Sequence, residues 1–201
     1  MRTTPLISAL ATAGAASLIV SGCSTGSDTS TPESSSSSQS SAQFNDADVE
    51  YARGMLMHHE QAIEMSDIVL DKPGIDPQVT TLARQIKKAQ GPEITQMESW
   101  LTDWDQDDSG DEGHGESMSE DGGGHDGMLS PQALEELKAA DGDDAEELFL
   151  DQMIEHHEGA VAMAQQHRTE GQDSQALQLS TDVIRDQKAE ITTMREMRTS
   201  L

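Results

Sequence analysis

Met55-Leu56-Met57-His58-His59-Glu60-Gln61-Ala62-Ile63-Glu64-Met65 returns at a constant offset of 98 as Met153-Ile154-Glu155-His156-His157-Glu158-Gly159-Ala160-Val161-Ala162-Met163. Both copies read Met-x-x-His-His-Glu-x-Ala-x-x-Met. The period belongs to a helix. With Met55 at zero and about 100° per residue, His58 falls at about −60°, His59 at about +40°, Ala62 at about −20° and Met65 at about −80°, while Glu60 turns away at about +140°. Asp48, Tyr51, Ser66 and Val69 share the methionine-histidine face. Two methionines, two imidazoles and a small alanine therefore line one helix stripe, and the second copy repeats the stripe.

The repeat extends outward from the motif. Asp46-Ala47-Asp48 matches Asp144-Ala145-Glu146, Tyr51 matches Phe149, and Ile86 matches Ile184. With a one-residue slip, Glu93-Ile94-Thr95-Gln96-Met97 matches Glu190-Ile191-Thr192-Thr193-Met194. Periodicity and punctuation predict four long helices over about 46–70, 76–104, 143–168 and 173–198. Lys72-Pro73-Gly74 ends the first, Asp76-Pro77 caps the second, and Gly171 stops the third. A short helix from Ser130-Pro131 leads into the third. No segment alternates as a strand. The fold expected is all-α, a four-helix bundle made of two repeated hairpins, 44–104 and 143–200, joined by a longer crossover over 105–129.

That crossover is rich in Asp, Glu and Gly and carries His114, Met118, His125 and Met128. It reads either as an acidic disordered linker or as a loose auxiliary metal-capturing loop, and no defined site is assigned to it.

Residues 1–22 have the layout of a signal peptide: Arg2 supplies a positive start, and an uncharged, mostly small or apolar stretch over 6–20 is too short for a membrane span. Val20-Ser21-Gly22 leads into Cys23, the one cysteine of the chain, and resembles a bacterial lipobox that would make Cys23 the acylated first residue of the mature protein. An ordinary signal peptide with an incidental cysteine is the other reading. Either way the mature protein is exported, with no cysteine left for a disulfide or a thiolate metal site. Residues 23–43, almost wholly Ser, Thr, Gly, Asp and Gln after the cysteine, form an expected disordered tether, and 44–201 one domain.

The formal charge is −26, from 12 basic and 38 acidic residues, which disfavours nucleic acid and anionic lipid as partners and favours cations. Two Trp, one Tyr and two Phe leave the core to be built from Leu, Ile, Val, Ala and Met.

Thioether and neutral imidazole are soft and borderline donors, suited to Cu(I) far better than to Mg²⁺ or Ca²⁺. The candidate metal ligands are Met55, His58, His59, Met65 and their counterparts Met153, His156, His157, Met163. Met97 and Met194, on the second helix of each hairpin, form a second tier. Methionine at helical spacing also fills cores without any metal, and a buried histidine often has an ordinary hydrogen-bond partner. Enzymatic patterns fail on spacing. His59-Glu60 and His157-Glu158 lack the second histidine of a zincin. Glu93 is followed by Gln96 and Glu190 by Thr193, where a di-iron centre needs Glu-x-x-His. No serine lies in a nucleophile elbow, so no catalytic residue is assigned and binding is favoured over turnover.

The two Met-x-x-His-His-Glu-x-Ala-x-x-Met copies, with Phe149-Leu150-Asp151-Gln152-Met153 leading into the second and Gln90-Gly91-Pro92-Glu93-Ile94-x-x-Met97 after the first, resemble the family known as domain of unknown function 305. The resemblance covers about 44–201. It implies a ferritin-like four-helix bundle of the kind many bacteria export, including lipoproteins of high-GC Gram-positive organisms, and some members bind copper. The acidic crossover is not matched by that pattern.

The expectation is an exported protein, lipid-anchored to the outer face of the bacterial cytoplasmic membrane, that binds Cu(I) and also Ag(I) for metal tolerance or delivery. Its partners would be a metal ion and, through the anchor at Cys23, the membrane; the sequence is compatible with a homo-oligomer and names no protein partner. Two rivals stay open: a cuprous oxidase or other redox role at the same residues, and a metal-free envelope interaction module. If Cys23 is acylated, the protein should fractionate with membranes and incorporate a fatty-acyl label, and Cys23→Ala should leave it unprocessed or released. Unlabelled wild-type protein found wholly in the medium would overturn the lipobox.

Overall fold

The computed structural model describes residues 44–104 and 127–200. The signal peptide, Cys23, the tether and most of the crossover, including His114, Met118 and His125, lie outside the described residues.

Five helices follow one another: α1 (Asp46–Leu70), α2 (Pro77–Asp103), α3 (Pro131–Ala139), α4 (Gly142–Glu170) and α5 (Ser174–Arg198). No strand occurs among the described residues, and none of their helices is long and apolar enough to cross a membrane. Local chemistry sets the ends. Asn45 and Asp48 form a reciprocal capping box at the start of α1, and Asp76 and Asp173 cap α2 and α5 through their carboxylates. Pro77 and Pro131 occupy first-turn positions where the missing N–H costs nothing. Pro92 lies inside α2, where it leaves the Lys88 carbonyl without its helical donor.

α1 packs on α2, α4 on α5, and the two hairpins meet mainly through α1 and α4. Core contacts give the direction of that meeting. Met65 and Val69 near the end of α1 cluster with Ala145, Phe149 and Met153 near the start of α4, while Tyr51, Ala52 and Met55 cluster with Ala160 and Ala164. α1 and α4 thus run antiparallel, and the repeat becomes a pseudo-twofold axis through the bundle.

The axis shows in the loops as well. The buried carboxylate of Asp48 accepts the Asp173 N–H at 3.1 Å, and its counterpart Glu146 accepts the Asp76 N–H at 2.6 Å. Each half therefore uses an inward acid at the start of one hairpin to hold the first turn of the other hairpin's second helix, where the helix dipole favours negative charge.

The two ends then diverge. Asp48 Oδ1 also accepts His167 Nε2–H at 2.8 Å, His167 Nδ1 meets the Ser180 hydroxyl at 2.6 Å, and the Tyr51 ring stacks on the imidazole with centroids 4.1 Å apart. At the positions related by the repeat stand Val69, Leu82 and Phe149, all buried. Burial alone would raise the Asp48 carboxyl, but the hydrogen bonds from His167 and from the backbone of Asn45, Gln172 and Asp173 outweigh it and hold Asp48 below its ordinary range.

Two glycines permit close approaches. A Cβ at Gly171 would lie 2.3 Å from His167 Nε2 and 2.7 Å from Asp48 Oδ1, inside their hydrogen bond. Gly127 has φ +83 and rests on α4, where a Cβ would come within 2.6 Å of the Glu155 carbonyl oxygen and 3.0 Å of that of His156. Gln61 fixes the neighbouring Leu129 by two backbone hydrogen bonds, so the crossover's return is pinned between α1 and α4.

Asp48→Asn should destabilise the fold by about 3 kcal/mol at neutral pH, because it strands a buried imidazole and weakens three backbone hydrogen bonds. The folded carboxyl titrates below the unfolded one, so its stabilisation is complete above the ordinary aspartate value of 3.8 and fades as pH falls through the lower folded value. Urea unfolding of the two proteins at falling pH checks this: their gap should hold to about pH 4 and close below it. Gly171→Ala should lower stability in the same direction.

Candidate metal centre

The helical stripe predicted from the repeat is the buried one. His58, His59, His156 and His157 are all fully buried, with Glu60 and Glu158 exposed on the opposite face. At the crossing of α1 and α4 the His58 and His156 rings touch, with centroids 3.7 Å apart and planes inclined by 42°. The two halves meet at this ring contact.

The outer imidazole of each pair is held from the neighbouring helix. His59 Nε2 lies 2.7 Å from Glu93 Oε2, and His157 Nε2 lies 2.7 Å from Glu190 Oε2. A carboxylate can only accept, so Nε2 carries a proton, and in the neutral ring Nδ1 keeps its lone pair. Both Nδ1 atoms are buried and find no hydrogen-bond partner among the described residues, and neither does either ring nitrogen of His156. Burial first, then the neighbouring imidazoles of His58, His157 and His59, hold His156 well below the ordinary histidine range, so it is neutral near pH 7.

A carboxylate that fixes the tautomer and orientation of an imidazole, leaving the other nitrogen free, is the arrangement seen behind metal-ligating histidines. Without a ligand, each stranded buried nitrogen costs about 1–3 kcal/mol.

The methionines fall into two groups, one on either side of the histidine layer. Met55 and Met97 are fully buried in the cluster that includes Tyr51, Trp100 and Ala160, with Met163 packed against it. Met65, Met153 and Met194 are fully buried in the cluster that includes Ala62 and Phe149. Met163 is only half-buried, so the second-tier Met97 and Met194 are better enclosed than it is. Among the described residues no three His, Cys, Asp or Glu side chains gather closely enough to hold a metal by themselves. A metal held in this arrangement would draw on thioether sulfur, which together with neutral imidazole is a donor set for Cu(I) and Ag(I).

Sequence reasoning placed the histidines inward but missed their holders. The sequence places Glu93 and Glu190 in the repeat and rejects them as halves of a di-iron motif; their partners in the structure are His59 and His157 across the hairpin. The signal was present in the slipped match of Glu93 with Glu190. Gln90 and Gln187, buried one turn before those glutamates, were also missed.

The sequence model of DUF305, a domain of unknown function, matches residues 48–198. A crystal structure of a DUF305 fragment from Deinococcus radiodurans is 29% identical, covering 78% of this chain and 98% of that one with a TM-score of 0.67. A DUF305 protein from Streptomyces coelicolor, described as secreted, is 31% identical, covering 75% and 89% at a TM-score of 0.62. CopM in its Cu(I)-bound form is 29% identical, covering 76% and 96% at a TM-score of 0.60, and crystals of CopM with Cu(II) and with Ag are also similar. No curated protein matches. The match of a family sequence model to most of the chain, with the fold it shares with solved members, makes this protein a member of the DUF305 family.

Proposed function

We propose that this protein binds Cu(I), and Ag(I) by the same chemistry, at the crossing of α1 and α4, and serves metal tolerance or delivery outside the cytoplasm. One observation carries the reading: buried nitrogens of His59, His156 and His157 without hydrogen-bond partners among the described residues stand in a methionine-flanked layer, and the rings of His59 and His157 are held from behind by carboxylates. Packing alone gives no reason to bury the rings of His59, His156 and His157 with nitrogens left unmatched among the described residues. The likeness to CopM, crystallised with copper and silver, supports the same chemistry. Copper is cargo here, and the role is binding rather than turnover. Thioether and imidazole suit an oxidising exterior, where thiolates would be lost to disulfides. The signal-peptide layout and the secreted relative support export, and the lipobox at Cys23 supports a lipid anchor.

Purified wild-type protein should retain Cu(I) under reducing conditions and ignore Mg²⁺ and Ca²⁺ at moderate salt, where the acidic surface is screened. His59→Ala and His157→Ala should each weaken Cu(I) binding strongly, and the double variant should cost less than their sum, because either change breaks one shared core site. Additive effects, with half the stoichiometry lost in each single variant, would instead assign one site to each methionine group. Full Cu(I) retention by both single variants would overturn the ligand assignment.

A further inference from the structure

Gln90 and Gln187 are the remaining polar side chains of the inward stripes of α2 and α5 that the metal reading leaves without a task. They are 3% and 4% exposed, on faces that also bury Ile86, Met97, Val183 and Met194. Neither the amide nitrogen nor the amide oxygen of Gln90 has a partner among the described residues, and the same holds for the amide oxygen of Gln187. The two are related by the same one-residue slip that relates Glu93 to Glu190. Each lies one helical turn before the glutamate that holds His59 or His157, so both amides share a helix face with the histidine holders. A leucine would fill either position without stranding a polar group, so packing does not account for a glutamine at both.

An amide oxygen is a harder donor than a thioether and takes the weak axial position in some copper sites. Methionine sulfur favours Cu(I), whereas Cu(II) favours nitrogen and oxygen. We infer that Gln90 and Gln187 are oxygen donors of the histidine layer and give the same core an affinity for Cu(II) beside that for Cu(I). This rests on the proposed metal site and adds the residues that set which oxidation states it accepts.

The test uses the full chain with Gln90→Leu, Gln187→Leu and both together, titrated with Cu(I) under reducing conditions and separately with Cu(II) at moderate salt against a competing chelator. The double variant should bind Cu(II) more weakly, on the order of tenfold or beyond, and change its Cu(II) electron paramagnetic resonance spectrum. It should keep Cu(I) affinity within about a factor of two. The metal-free double variant should melt no lower than wild type, because leucine removes a stranded amide. Should the double variant not fold, the single variants carry the same comparison. Unchanged Cu(II) affinity and spectrum in a folded variant would overturn the inference and leave the amides to buried water. Equal loss of Cu(I) and Cu(II) would overturn it as well, since the oxygens would then not discriminate between the two. A wild-type chain that retains neither ion would sink the metal site itself, a failure distinct from these two.

Discussion

The bundle depends on the antiparallel crossing of α1 and α4, where two imidazoles meet ring to ring with their neighbours buried beside them. Water is excluded there, so each ring nitrogen must be matched by a partner or stand as a cost. Glu93 and Glu190 match one nitrogen on each outer ring. Their side chains stay 23% exposed, so the carboxylates remain partly hydrated while the rings they hold do not. Alanines at 62 and 160 fit this crossing by being small, and the methionines on either side fill an irregular core with polarisable sulfur. Packing and ligand chemistry are served by the same residues.

Outside the crossing, the two halves solve one problem differently. Both ends bury an acid against the first turn of a second helix. One end surrounds it with His167, Ser180 and Tyr51, the other with apolar side chains at the matching positions. The imidazole partner and the backbone donors of Asn45, Gln172 and Asp173 offset the cost of burying the Asp48 carboxylate.

Much of this was legible in the sequence. The helix spans came out within a few residues because Asp76-Pro77, Lys72-Pro73-Gly74 and Gly171 are local signals with local causes. The inward placement of the four histidines followed from helix periodicity, which depends on spacing alone. The partners of those histidines did not follow. Whether Glu93 reaches His59 depends on how far α2 slides along α1, and no residue pair states that register. The link from Asp48 to His167 spans 119 positions and requires the chain to close around Gly171, so only the inward-facing Asp48 hinted at it. Met163 shows the opposite failure: a correct motif position whose side chain is only half-covered.

The unlike ends also dictate which hairpins can pair. A hairpin of this kind could in principle assemble with a second copy of itself, as a tandem duplication implies for its ancestor. Two first hairpins around the same axis would set Asp48 against Val69 and Leu82, a buried carboxylate facing hydrocarbon. Two second hairpins would set His167 and Ser180 against Phe149 and the longer acid Glu146 in place of Tyr51 and Asp48. The mixed pair gives His167 the short acid, the ring and the loop donors that share Asp48. Once the halves had diverged in this way, joining them in one chain became more than a convenience of concentration: it supplies the two unlike pieces in the one-to-one ratio that their complementarity demands.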